Sequence, residues 1–220
     1  LTATPRPQHE WNLPHSGNTV NNSQACHFFS TDSLDVVNHL IGQPSGMVYF
    51  TAMPVSLICT TLNEGKSMRL LLDSITAQTT PPDEIVICDG GSTDETTKIV
   101  EGYASKLPIR LIVQPGVNIS AGRNAAIRAA RHSIIASTDA GVVLETGWLE
   151  NLSAPLADPQ IDVVAGFFQS DPQSAFETAL GAATLPEAGE INPRTFMPSS
   201  RSVAFRRAVW EQVGGYQEWI

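Results

Sequence analysis

EIVICDGGSTDET, residues 84–96, decides the fold. Glu84–Cys88 is a short run rich in β-branched residues, apolar on both alternate sets of positions, as in a strand buried on both faces. It stops at Asp89-Gly90-Gly91-Ser92, a turn composition. Ser92-Thr-Asp-Glu95 then reads as a capping box, with the Ser92 hydroxyl accepting the Glu95 amide and the Glu95 carboxylate returning to the Ser92 amide. The helix it opens carries Thr96, Ile99, Val100 and Tyr103 on one stripe. A buried strand, a Gly-rich turn and a capped helix make half of a βαβ unit.

The same alternation extends both ways. Upstream, Val55–Thr60 is an apolar strand bounded by Pro54 and Asn63. Lys66–Gln78 follows, with Met68, Leu71, Leu72 and Ile75 at helical spacing, and Pro81-Pro82 breaks it. Downstream come a strand at Ile109–Val113, an alanine-rich helix at Ser120–Arg131 and a strand at Ile134–Thr138 closed by Asp139-Ala140-Gly141. A short helix at Trp148–Leu152, strands at Asp162–Phe168 and Ser202–Phe205, and a helix at Ala208–Val213 capped by Gly214-Gly215 complete the pattern. The order predicts an α/β fold, an open, mostly parallel sheet with helices on both faces. Residues 169–200 show no period and read as a long surface excursion near a substrate site.

Residues 1–46 differ in texture, with Pro, His, Asn, Ser and Gln throughout. They read as a polar, flexible segment with one short helix after Ser33. The globular domain is expected over 47–220, with Met47 near its natural start. The chain opens on Leu1 rather than Met.

A net charge of −9 removes any general attraction to nucleic acid or anionic lipid. A phosphate-bearing ligand would have to be held locally, by a metal or a few placed donors. Cys26, Cys59 and Cys88 form no CxxC pair, and the last two sit within strands, as buried thiols in a reducing compartment do. No apolar run is long enough to span a bilayer. No secretory pattern opens the chain. These features point to the cytoplasm, with the inner face of the membrane open as a working place.

In an open parallel sheet, ligands sit beyond the carboxyl ends of the strands. Three of these ends are polar here: Thr61-Leu-Asn63-Glu64, Cys88-Asp89-Gly90-Gly91-Ser92 and Thr138-Asp139-Ala140-Gly141. Each alone is an ordinary turn composition. Together, Glu64, Asp89 and Asp139 are expected to converge on one lip, an acidic rim that would accept a divalent cation, Mg²⁺ or Mn²⁺, through oxygen ligands. A dinucleotide-dependent oxidoreductase is disfavoured, because TLNEGK rather than GxGxxG follows the first strand.

VSLICTTLNEG, EIVICDGGSTDET, NISAGRNAAIRAA and IIASTDAGVVLETGWLENL, in this order, resemble the family-two inverting glycosyltransferases over about residues 54–215. The resemblance implies the GT-A, nucleotide-diphospho-sugar transferase type of fold. It implies transfer of a sugar from a nucleotide-sugar donor to an acceptor hydroxyl of a polysaccharide, lipid or protein, with inversion. Thr61, Asn63 and Glu64 match the loop lining the nucleotide site. Asp89, with Gly90 beside it, matches the acid that contacts the donor's base or ribose. Arg123 and Asn124 match a loop-helix element near the donor. Asp139 matches the first acid of the family's Asp-x-Asp metal motif, but Gly141 stands in the second place. Arg201, in PSSRS, falls in the acceptor-side region by position. The family's base follows the Gly-Gly that Gly214-Gly215 match. Glu218 is a weak candidate, so the base is expected beyond Ile220 and the chain reads as a C-terminally truncated fragment. A nucleotide-sugar-binding module without turnover is the alternative for the polypeptide as it stands.

Overall fold

The computed structural model describes residues 27–28 (backbone only), 53–172, 174–185, 196 and 198–219. The expectations for the short helix after Ser33, for Met47 as a start and for the remainder of 1–46 lie outside the described residues. The strands are β1 (His27–Phe28), β2 (Val55–Thr61), β3 (Glu84–Asp89), β4 (Ile109–Val113), β5 (Ile134–Asp139), β6 (Val163–Ala165) and β7 (Val203–Arg206). The helices are α1 (Met68–Thr76), α2 (Thr96–Tyr103), α3 (Ile119–Ala129), α4 (Trp148–Ser153), α5 (Ala175–Thr184) and α6 (Arg207–Val213), and a 3₁₀ turn, Ala154–Ala157, follows α4.

The strands form one sheet in the order β1-β6-β7-β5-β2-β3-β4. All ladders are parallel except those of β7, which runs against both β5 and β6. The fold is therefore α/β with a mostly parallel sheet, as the strand–helix alternation predicts. The strand expected at Ser202–Phe205 is present as β7, but it runs antiparallel, and helix α5 falls within the excursion expected over 169–200.

Strand periodicity divides the core between two faces. Leu57, Cys59, Ile85 and Ile87 pack on one face against Met68, Leu71, Leu72 and Ile75 of α1 and Ile99 and Val100 of α2. Ile58, Val86, Cys88 and Ile135 face the other way, against Ala126 and Ile127 of α3, with Trp210 of α6 at the margin. Leu149 and Leu152 of α4 cover Ile134, Ala136 and Ala204. All six residues of β3 are buried, as its composition requires.

The chain runs outward from β2 through β3 to β4, then returns through α3 to β5 on the opposite side of β2. This reversal moves the crossover helix to the other face and splays the loops leaving β2 and β5. A crevice at such a switch point is where open α/β sheets bind ligands.

Candidate functional site

A cleft of about 500 Å³ opens at the carboxyl ends of β2, β3 and β5, within the usual range for a small-molecule site. Thr60, Thr61, Leu62 and Glu64 line it from β2, and Cys88 and Gly90 from β3. Val117, Asn118, Ile119 and Gly122 come from α3 and its approach, Asp139 to Val142 from the end of β5, and Arg201 from the segment before β7.

The β2 and β3 loops are buttoned together. Asn63 adopts a left-handed backbone, φ 55°, a conformation asparagine tolerates better than most residues. Its amide donates to Ser92 Oγ at 2.8 Å, and its Oδ1 accepts from the Thr93 amide at 2.9 Å. The Glu64 amide donates to Thr96 Oγ1 and the Gly65 amide to Asp94 Oδ2. Asn63 therefore spends its side chain on the neighbouring loop. The Glu64 side chain lines the cleft and accepts from Ser67 Oγ. The Thr61 hydroxyl is buried and finds no partner among the described residues.

The capping box does not form. Ser92 Oγ donates to Asp89 Oδ2, and the first residue of α2 is held instead by Asp94, whose Oδ1 accepts from the Thr96 amide and hydroxyl. Glu95 makes no side-chain cap. Ser92 is drawn off because a fully buried carboxylate, Asp89, lies within reach, and such a group must be saturated with donors.

Register explains the placement of Asp89. Thr61 pairs with Asp89, whereas Thr60 pairs with Asp139. Side chains alternate along a strand, so a one-residue offset puts the two carboxylates on opposite faces of the sheet. Asp89 accepts from the Gly91 and Ser92 amides at 2.9 and 2.8 Å and is absent from the cleft lining; Gly90 beside it is present. The expected three-acid lip is thus a pair, Glu64 and Asp139, with Asp89 holding the shape of the loop between them.

Helix α3 starts at Asn118, whose Oδ1 caps the Ala121 amide at 2.9 Å. At Gly122 the helix crosses the sheet so closely that a Cβ there would lie 3.0 Å from Thr60 Cγ2. This approach brings Arg123 behind Asp139. Asn124 points elsewhere. Its Nδ2 donates to the Tyr216 carbonyl and Glu218 Oε1, both at 2.8 Å, and its Oδ1 accepts from the Tyr216 amide at 2.9 Å and Trp210 Nε1 at 3.1 Å. All four bonding capacities of the amide are used. Asn124 is a structural clasp between α3 and the turn after α6.

Asp139 is the electrostatic centre of the cleft. Arg123 Nη2 reaches Asp139 Oδ1 at 2.6 Å, and Arg201 Nε lies 3.5 Å from Oδ2. The guanidiniums also sit over the rings of Tyr216 and Phe168, at 5.6 and 5.4 Å. Asp139 in turn helps burial push the thiol of Cys59 far above its ordinary range. Burial, then Asp89, likewise raises the Cys88 thiol. Both cysteines are free and buried, as expected of strand thiols.

The fit to a divalent cation is narrow. Among the described residues no three His, Cys, Asp or Glu side chains form a metal-binding group, and Gly141 supplies no side chain. Mg²⁺ demands about six oxygen ligands. A cation on Asp139 would take the rest from donor phosphates and water. Glu218, the weak candidate for a base, is tied to Asn124 and, at 3.3 Å, to Arg128. These bonds hold its carboxyl below the ordinary glutamate range, Asn124 contributing most. It does not line the cleft.

The sequence matches the family described as Glycosyl transferase family 2 over residues 56–213, well over half of its length. The chain belongs to glycosyl transferase family 2. Among curated relatives in this family, the O-antigen chain rhamnosyltransferase RfbN of Salmonella typhimurium is 27% identical over 76% of this chain and 56% of its own. Validoxylamine A glucosyltransferase of Streptomyces hygroscopicus subsp. limoneus is 30% identical over 48% of this chain and 24% of its own. The chain thus spans about half or less of the length of these relatives. Of solved structures, the mannosyltransferase PcManGT from Pyrobaculum calidifontis in complex with GDP-Man and Mn²⁺ is 25% identical, with a TM-score of 0.61 over 77% of this chain and 49% of that one. S. aureus TarS in complex with UDP is 22% identical, with a TM-score of 0.60 over 74% and 50%, a likeness of fold. The membership excludes the dinucleotide oxidoreductase reading. Among the described residues no helix is long and apolar enough to cross a membrane.

Proposed function

We propose that the cleft binds a nucleotide-diphospho-sugar and that the chain serves sugar transfer to an acceptor hydroxyl with inversion at the anomeric carbon. The observation that carries this reading is the cleft at the β2/β5 switch point. Its lining combines apolar and backbone surface (Leu62, Gly90, Val117, Ile119) with charged groups (Glu64, Asp139, Arg201). The first suits a nucleoside and the second a diphosphate. Glu64 faces the donor, and Thr61 borders the cleft at the end of β2 with its hydroxyl buried on the Asp89 side of the sheet. Asn63 and Asp89 hold the loops, and Arg123 fixes Asp139.

Inversion follows from a single in-line displacement. The acceptor oxygen bonds to the anomeric carbon as the bond to the phosphate oxygen breaks. The nucleoside diphosphate leaves with the electron pair, and a base takes the acceptor proton. A divalent cation, when bound, would stabilise the leaving phosphate charge, with Asp139 its protein ligand. PcManGT, crystallised with GDP-Man and Mn²⁺, supports that role by analogy. Glu218 is tied to Asn124 and Arg128 and does not line the cleft, so we assign it no part as the base. The same observation favours the second reading, a binding module without turnover by these 220 residues. The free, buried cysteines support a cytoplasmic setting, at the inner membrane face where the acceptor is a lipid.

A thermal-shift panel of UDP, GDP and NAD, each with Mn²⁺, tests the proposal. Stabilisation by UDP or GDP and not by NAD is expected. No response to either nucleoside diphosphate contradicts it. Release of free sugar or transfer by this chain alone would remove the second reading.

A further inference from the structure

The two arginines on Asp139 are not equivalent. Arg123 is almost wholly buried, with side-chain exposure of 10%, and makes a short bond to Oδ1. Its Nε is buried without a partner among the described residues. Such a cation is fixed: moving it would strand a charge inside the protein. Arg201 lines the cleft, keeps 52% of its side chain exposed and touches Oδ2 through a longer contact of 3.5 Å. An exposed pair of that length is weak. Its guanidinium lies over the Phe168 ring, 5.4 Å from the centroid, a cation–π contact that uses none of its N–H donors.

A diphosphate in the cleft and Asp139 Oδ2 are alternatives for the Arg201 edge. A guanidinium binds phosphate oxygens through paired, charge-assisted bonds. One carboxylate oxygen 3.5 Å away is the poorer partner. We infer that Arg201 is a diphosphate-binding residue parked on Asp139 Oδ2, and that its transfer to the donor frees this oxygen, so that donor and divalent cation bind cooperatively. The inference rests on the nucleotide-sugar reading above and adds a residue and an order to it. Arg201 supplies positive charge where Gly141 supplies no second acid. Oδ1 stays with Arg123, while Oδ2 changes partner. Cation binding alone must displace Arg201 and is penalised. Donor binding alone is supported by Arg201 without metal.

The test is isothermal titration of the chain and its variants with UDP in EDTA, with Mn²⁺ alone and with UDP in saturating Mn²⁺. In EDTA, Arg201→Gln is expected to weaken UDP about tenfold to a hundredfold, the range for losing a charge-assisted bond. Arg201→Lys, which keeps the charge but not the fork, is expected to fall between Arg201→Gln and the unsubstituted chain. Mn²⁺ alone is expected to bind Arg201→Gln at least as tightly as the unsubstituted chain, and the enhancement of Mn²⁺ binding by UDP is expected to shrink. Asp139→Asn, which releases Arg201 in advance, is expected to bind UDP in EDTA no more weakly than the unsubstituted chain. Equal UDP affinity in EDTA for Arg201→Gln and the unsubstituted chain overturns the inference. So does UDP binding that requires Mn²⁺ altogether. Failure of the unsubstituted chain to bind UDP or GDP under any condition overturns the nucleotide-sugar reading instead.

Discussion

Replacing Asn124 with alanine separates two roles for one residue. By sequence resemblance Asn124 sits near the donor; in the structure it is 2% exposed and bonded four times to the turn after α6. The magnitude follows from what the substitution leaves behind. Glu218 is exposed, so water replaces the bond it accepts at little cost. The Tyr216 amide and carbonyl and Trp210 Nε1 are half-buried, and each lost bond costs about 1 kcal/mol, more where water cannot enter. A loss of roughly 2–4 kcal/mol results. For a domain of this size that lowers the melting temperature by about 5–15 °C. Urea denaturation and thermal melting measure it, and UDP titration well below the transition measures binding. The expected result is a large loss of stability with UDP affinity nearly retained. A melting temperature within a degree of the unsubstituted chain, together with lost UDP binding, would refute the clasp and return Asn124 to the donor.

Further outcomes follow from the loops. Gly91 has φ +99°, and a Cβ there would lie 2.9 Å from Pro115 Cα, whereas Gly116 at φ +82° has open space around it. Gly91→Ala is therefore expected to destabilise by about 1–3 kcal/mol, more than Gly116→Ala, because it adds a backbone clash to the conformational strain; equal melting temperatures would contradict this. The depressed carboxyl of Glu218 gives a pH signature. Its contribution to stability is fully present above the ordinary glutamate value of 4.5 and is lost as pH falls through the lower folded value. The stability difference between the unsubstituted chain and Glu218→Gln is expected at neutral pH and should vanish in acid; a difference that grows in acid would contradict the assignment.

Much of the fold was legible because local signals and burial coincided. Met68, Leu71, Leu72 and Ile75 are spaced as a helix stripe and are all buried. EIVIC has no polar face and lies within the sheet. Helix α5 gave no such signal. Phe176 and Leu180 are 75% and 50% exposed, so its apolar residues do not form a stripe against the core. The direction of β7 is not encoded in a run like VAFR, since either ladder suits a short buried strand. At the site, the strand ends were found by composition, but their facing was not. Whether Asp89 and Asp139 share a face depends on the β3–β2–β5 register, which three separate segments settle only on assembly. Arg201 was located by sequence position, but its partner lies 62 residues earlier, beyond any local pattern.

The measurement closest to the central claim is a crystal structure of the chain with a UDP- or GDP-sugar. The account predicts the nucleoside along Leu62, Gly90 and Val117, and the diphosphate between Arg201 and Asp139. A donor bound elsewhere, with Arg201 still on Asp139 and the cleft between β2 and β5 unchanged, would contradict it.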